Sequence, residues 1–182
     1  MQLTKGLEQA ACIMALLATQ EQNVPISSHV IHERLSGSQT YLRKIMRKLV
    51  VSGLVKSVSG NNGGFSLAVS PEKITLLKVV QAAEGDISTF PNIGFIKKVF
   101  QEFEPLASEA ENVLTAAFAQ ADQRWAQYLD TVTLAQLLWS VFEVDDIPRV
   151  NWNDPKLKID QQLFAKLKNP TNLLEKDLEE KN

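Results

Sequence analysis

The sequence predicts a mainly α protein with a small β-wing, and three stretches carry that prediction. The first runs from Gln39 to Leu49, where Tyr41, Leu42, Ile45, Met46 and Leu49 recur at the spacing of one buried helical face. Thr40, Arg43, Lys44, Arg47 and Lys48 lie away from that face, so four cations point outward together. The second follows directly. Gly53 ends the helix, Leu54 to Val58 alternates as a strand, Gly60-Asn61-Asn62-Gly63-Gly64 forms a tip, and Phe65-Ser66-Leu67 returns. The third is a stripe along one long helix, Leu106, Ala110, Val113, Leu114, Ala117, Phe118, Ala121, Trp125, Tyr128 and Leu129, with steps of three and four. Together they describe a winged helix-turn-helix domain plus a long dimerisation helix. The expected divisions are a winged-helix domain over 1–85, linker and dimerisation helices over 86–142, and a C-terminal extension over 143–182.

Each element has its own local reason. Thr4 to Thr19 reads as a core helix with Leu7, Ala11, Met14 and Ala18 along one face and Leu3, Ala10 and Leu17 beside it. Pro25 marks the next turn, Ser27 or Ser28 can cap a short helix through about Leu35, and Ser36-Gly37-Ser38 is the tight turn. Ser38 is expected to cap the helix that begins at Gln39, because its hydroxyl can accept one of the unpaired amide protons there. After the hairpin, Pro71 to Thr75 turns into a helix capped by Thr75, with Leu76, Leu77, Val79, Val80 and Ala83 on its apolar side. Asp86 to Glu104 starts irregular and becomes amphipathic. Pro105 suits the first turn of a helix reaching about Leu129, roughly 37 Å at 1.5 Å per residue. Thr133 begins a further short helix, and short amphipathic helices are expected over 156–168 and 173–180.

The long stripe exceeds what a small winged domain covers, so a second subunit is its expected cover; packing on its own domain is the alternative. The formal charge of -2 hides an asymmetry. Residues 1–70 carry seven cations against three carboxylates, a surplus of four, whereas the rest carry 12 against 18. Such a split attracts phosphate at one end and repels it at the other, so an acidic pI does not oppose nucleic-acid binding. No run approaches the roughly 20 apolar residues of a membrane span, and the amino terminus lacks a secretory layout, which predicts a cytoplasmic protein without membrane attachment. One cysteine, Cys12, excludes an internal disulfide. No nucleophile paired with a base and no phosphate-cradling loop stands out, so enzyme chemistry is not expected.

Six ordered motifs resemble the Rrf-type family of bacterial winged-helix transcription regulators over about residues 1–140. They are Gln2-Leu3-Thr4-Lys5-Gly6, Ser38-Gln39-Thr40-Tyr41-Leu42, Ser52-Gly53-Leu54-Val55-Lys56-Ser57-Val58, Gly63-Gly64-Phe65-Ser66-Leu67-Ala68, Ile74-Thr75-Leu76-Leu77-Lys78-Val79-Val80 and Thr133-Leu134-Ala135-Gln136-Leu137-Leu138. The resemblance implies a homodimer that binds double-stranded DNA at an operator of approximate dyad symmetry, usually as a repressor. It implies that Ser38, Thr40 and Arg43 face base edges, that Lys44, Arg47 and Lys48 hold phosphates or neighbouring bases, and that Gln2, Thr4 and Lys5 add backbone contacts. Ser28, Gln39, Tyr41, Lys56 and the wing residues Ser59, Asn61, Asn62 and Gly63 complete the expected interface. Side-chain chemistry agrees, since arginine presents two parallel donors to the two acceptors of guanine and lysine acts as a mobile charge.

Two departures from the family pattern bear on mechanism. Many relatives carry an arginine just before the first wing glycine, where this chain has Ser59, so minor-groove reading is expected to be weaker. Asn61 and Asn62 are either neutral substitutes or plain turn formers. Cluster-binding relatives also place three cysteines before the dimer helix, and here Ser88 to Phe100 contains none. The resemblance therefore implies no cofactor and no metal, and Glu8, His29 and His32 make a poor iron site. Cys12, among Ala10, Ala11, Ile13 and Met14, is either a small packing residue, the favoured reading, or a candidate one-thiol sensor. Phe90, Phe95, Phe100, Phe103, Trp125 and Trp139 are read as core, with a pocket for a small effector as the alternative. The competing function is a winged-helix protein-interaction module, with a protein effector and DNA binding secondary or lost.

Overall fold

The computed structural model describes residues 3–60, 62–143, 147 and 149–155. Gln2, Asn61 and the two short helices expected beyond residue 155 lie outside them. Helix α1 spans Lys5–Ala18, and the Thr4 hydroxyl accepts from the Gly6 amide at 3.1 Å to cap it. Ala10, Ile13, Met14, Leu17 and Ala18 are its buried side, while Ala11 and Cys12 are exposed. The apolar face is thus turned from the expected one, and the packing reading of Cys12 is overturned. Burying Ile13 removes more apolar area from water than burying Ala11, so the larger side chain sets the rotation.

Helix α2 covers Ser28–Leu35 and is capped by Ser27, whose hydroxyl accepts from the Val30 amide at 3.2 Å. Ser36, at φ 47°, turns the chain. Helix α3 then runs Gln39–Val51 with Leu42, Ile45, Met46 and Leu49 buried. Ser38 occupies the cap position but makes no side-chain cap bond, contrary to expectation. Tyr41, expected on the buried face, is exposed, with its hydroxyl over Gly6 of α1.

Strands β1 (Val55–Val58) and β2 (Gly64–Leu67) form the antiparallel wing, with Val55 opposite Leu67 and Val58 opposite Gly64. Gly53, at φ 73°, releases the chain from α3 into this hairpin. Ile26 adds a third partner. Its amide donates to the Phe65 carbonyl at 2.9 Å and its carbonyl accepts from the Phe65 amide at 2.8 Å. A Cβ at Gly64 would collide with the Ile26 carbonyl, so only glycine lets the wing root lie this close to the loop before α2.

A single-turn 3-10 segment, Pro71–Lys73, leads to helix α4 (Leu76–Glu84), which Thr75 caps as expected. Helix α5 is Phe95–Val99, a second 3-10 turn covers Gln101–Phe103, and helix α6 extends Glu104–Thr131. Helix α7 (Leu134–Phe142) opens with a reciprocal Thr133–Gln136 capping box. Backbone bonds from Leu134 to Ile74 and from Leu76 to Val132, both 2.8 Å, tie its start to that of α4. Leu134, Ala135 and Leu138 therefore join Ile13, Met14, Ile31, Leu49 and Ile74 in one core.

The chain then returns across the loop between α1 and α2. Ile147 is buried in the core, and Val150 pairs with Gln20 in a parallel bridge. Trp152 donates its indole N–H to the Thr19 hydroxyl at 3.0 Å and its amide to the Gln20 side chain at 2.9 Å. The Asn153 side chain brackets the loop, accepting from the Ser27 amide at 3.0 Å and donating to the Pro25 carbonyl at 2.9 Å. Residues 149–155 thereby form a strap that satisfies backbone groups of the loop leading into α2.

The stripe on α6 divides into two neighbouring faces. Ala107 and Glu111 are buried and Trp125 and Leu129 are half-buried, all on the side turned to the same chain. Leu106, Ala110, Val113, Ala117, Ala121 and Tyr128 lie about 100° further round and are exposed. Leu114 and Phe118, at 39% and 40% exposure, point to the inner side, where Phe118 meets Phe90. Phe95, Phe100 and Phe103, expected in the core, are exposed.

Candidate nucleic-acid interface

Helix α3 presents Thr40, Arg43, Lys44 and Arg47 to solvent and carries no carboxylate along its length. Nothing on the helix neutralises its three arginine and lysine charges at these positions, and no ion pair or hydrogen bond engages Arg43 or Arg47 among the described residues. An α-helix with its side chains is about 10–12 Å across and the major groove is about 12 Å wide, so α3 fits the groove as a rod. Ser28 at the start of α2, Gln39, Arg43, Arg47 and Phe65 of β2 line one shared open cavity, which brings α2, α3 and the wing root together on this side of the domain. Ser38, Ser59 and Asn62 are exposed, and Gly63 is half-buried in the wing.

Two of the expected contact residues also make contacts within the chain. The Lys48 ammonium donates to the Ala83 carbonyl at the end of α4, while the residue remains exposed. The Thr4 hydroxyl donates to Glu84 at 2.5 Å, with the Thr4 amide also 3.2 Å from that carboxylate. Lys56, opposite Ser66 on the wing, lines a different cavity of about 510 Å³ with Arg149. Lys5 is exposed at the first position of α1.

Sequence reasoning missed the clasp that holds the segment between α4 and α5. The Thr89 amide and hydroxyl donate to the two oxygens of Asp122 on α6, at 2.9 and 2.7 Å. Phe90 stacks on Phe118 with ring centres 5.2 Å apart, and Lys97 pairs with the buried Glu111 at 3.1 Å. Spacing gave no sign of these pairings, because each joins residues about 14 to 33 positions apart across a bend.

The geometry is that of a winged-helix DNA-binding protein. A comparison with protein-family models matches residues 3–139 to Rrf2, described as an iron-dependent transcriptional regulator, and the chain belongs to that family. YwgB of Bacillus subtilis, provisionally named an HTH-type transcriptional regulator, is 32% identical over 151 residues, which is 83% of this chain and 93% of that one. The HTH-type transcriptional regulator NsrR of Bacillus licheniformis is 30% identical over 88 residues, 48% of this chain and 62% of its own. The solved structure of T. potens IscR superposes with a TM-score of 0.54 at 25% identity, covering 80% of this chain and 92% of that chain. The protein is accordingly a transcription regulator that binds DNA, not an enzyme. Among the described residues no helix is long and apolar enough to cross a membrane.

The family description names iron, and the donors here do not match an iron-sulfur cluster. Residues 88–100 supply no thiolate, Cys12 is the one cysteine of the chain, and no three His, Cys, Asp or Glu side chains converge among the described residues. The segment is held instead by the Thr89–Asp122 and Phe90–Phe118 contacts.

Proposed function

We propose that the protein is a cytoplasmic homodimeric repressor that binds a dyad-symmetric operator without an iron-sulfur cluster. The carrying observation is the acid-free outer face of α3, with Arg43, Lys44 and Arg47 exposed beside Ser28 and the glycine-tipped wing. Arg43 and Thr40 would read base edges from the groove, and Lys44 and Arg47 would hold phosphate. Ser38, Gln39, Tyr41 and the wing residues Ser59, Asn62 and Gly63 would contribute flanking contacts. The exposed apolar residues of α6, among them Leu106, Val113 and Tyr128, support a second copy as the partner, since an apolar face left uncovered along a long helix calls for a cover. Two α3 helices would then enter successive major-groove faces about 34 to 36 Å apart, and a change at the dimer helices would alter their spacing.

The test is fluorescence anisotropy with promoter duplexes recovered by genome-wide mapping, each against its scrambled counterpart, over a range of salt. The two α3 cations per subunit assigned to phosphate, Lys44 and Arg47, give a dimer a log-affinity slope against log salt of about -4. Matched preference over scrambled duplex with that slope is expected. Equal affinity for both duplexes, or a slope near zero, overturns the reading.

A further inference from the structure

We propose that the recess between α2, α3 and the wing root binds a small amphipathic carboxylate, and that this ligand and DNA exclude one another. The recess measures about 400 Å³, within the range of small-molecule sites. Its floor is apolar: Ile31, Leu42 and Met46 are buried, and Val50 and Phe65 are half-buried. Its rim carries Arg43, Arg47, His29 and His32, and no carboxylate lines it. The nearest acid in sequence, Glu33, lies outside the lining set and 3.9 Å from His29.

Two properties together select the ligand class. An apolar floor of this size matches hydrocarbon and nothing on a DNA backbone, which offers charge and sugar. Two guanidiniums over that floor favour a single carboxylate, which either arginine can take in a bidentate grip. The ligand is therefore a medium-chain or arylalkyl acid with its body on Met46 and Phe65 and its head on Arg43 or Arg47. The wall is firm, because Phe65 is fixed by two backbone bonds to Ile26.

Exclusion of DNA rests on the functional reading above, in which those arginines face the duplex. A carboxylate that engages them removes both charge and reach from α3. Release would then need no movement of the dimer helices.

The probe is octanoate below its micellar range, with octanamide as the neutral counterpart, titrated into the full chain while backbone amide resonances of Ile31, Met46 and Phe65 are followed by NMR. Octanoate should saturate with shifts centred on those residues, and octanamide should bind about tenfold or more weakly, for want of the charge-assisted bonds. The double variant Arg43→Leu/Arg47→Leu should bring octanoate down to the octanamide level. Val50→Phe, with its fold checked by thermal melting, should abolish binding of both by filling the recess. In a second arm octanoate, and not octanamide, should displace a bound labelled duplex. Unmoved amides, equal affinity for the two probes, or shifts centred elsewhere overturn the site. Saturation of the site with the duplex still bound overturns the exclusion. Absence of any DNA binding tells against the functional reading alone, since the NMR arm still reports on the recess.

Discussion

The guanidinium of Arg34 lies over the indole of Trp152, 4.3 Å from the ring centre. One residue closes the last turn of α2 and the other belongs to the strap, which lies beyond the segment matched by the family model. The α2–α3 pair is therefore braced from beyond the segment that the family model matches. Trp152→Ala removes the stacking cation's partner, the indole hydrogen bond to Thr19 and a half-buried ring. A fully buried aromatic costs about 3–5 kcal/mol on truncation, so about 2 kcal/mol is expected here. Urea unfolding of the variant reads it, and an unchanged midpoint would show that the strap contributes nothing.

Lys48 and Arg47 are sequence neighbours with different tasks. Arg47→Met should lower the salt slope of DNA binding by about 2 per dimer and leave stability unchanged. Lys48→Met should keep the slope and lose about 1 kcal/mol of stability, because its bond to the Ala83 carbonyl ties α3 to α4. Affinity measured over salt, together with denaturant unfolding, separates the two, and identical behaviour of both variants is incompatible with the geometry.

Arg43→Ala should act on sequence preference. Loss of a bidentate contact to guanine costs about 1–3 kcal/mol of discrimination at one base pair, while scrambled duplex is bound almost as before. A panel of singly substituted operators would reveal a single relaxed position; uniform weakening at every position would assign Arg43 to phosphate instead.

Asp122→Ala should release the segment between α4 and α5. Both carboxylate oxygens accept from Thr89, and without them the amide and hydroxyl lose their partner, at a cost of about 1–3 kcal/mol. Hydrogen exchange at the Thr89 amide should accelerate by tenfold or more, roughly the equivalent of 1.4 kcal/mol. Unaltered protection would mean that the Phe90–Phe118 stack holds the segment alone.

Val113→Arg tests the outer face of α6. Val113 is 60% exposed in a single chain, so an arginine there disturbs no intrachain packing. Placed at a two-fold contact, it would meet its own symmetry mate and bury two like charges. Sedimentation velocity should find a folded monomer, and a variant that sediments as the wild type would move the dimer contact elsewhere.

Local pattern made much of this molecule legible. The α3 face, the glycine-tipped hairpin, the Thr75 cap and the extent of α6 all follow from periods and caps that act within a few residues. Rotations about a helix axis were less so. Ala11 and Tyr41 were placed inside by spacing, yet Ile13 and Leu17 supply the larger apolar area in α1, and the Tyr41 hydroxyl finds room over Gly6. The α6 stripe looked single because its two faces are adjacent and both apolar. Pairings across long separations were not legible at all. Asn153 reads as a turn former from its neighbours Asn151 and Asp154, and nothing in that run announces a partner more than a hundred residues away. Lys48 carries the same composition as Lys44, and only the arrival of α4 beside it distinguishes them.

The bracket that Asn153 makes around Pro25 and Ser27 also fixes a launch point. Asp154 and Pro155 follow directly on that bracket, so they stand close to the first turn of α2, on the domain that carries Ser28 and α3. A reporter or affinity handle grafted at Pro155 would therefore be held near that helix pair.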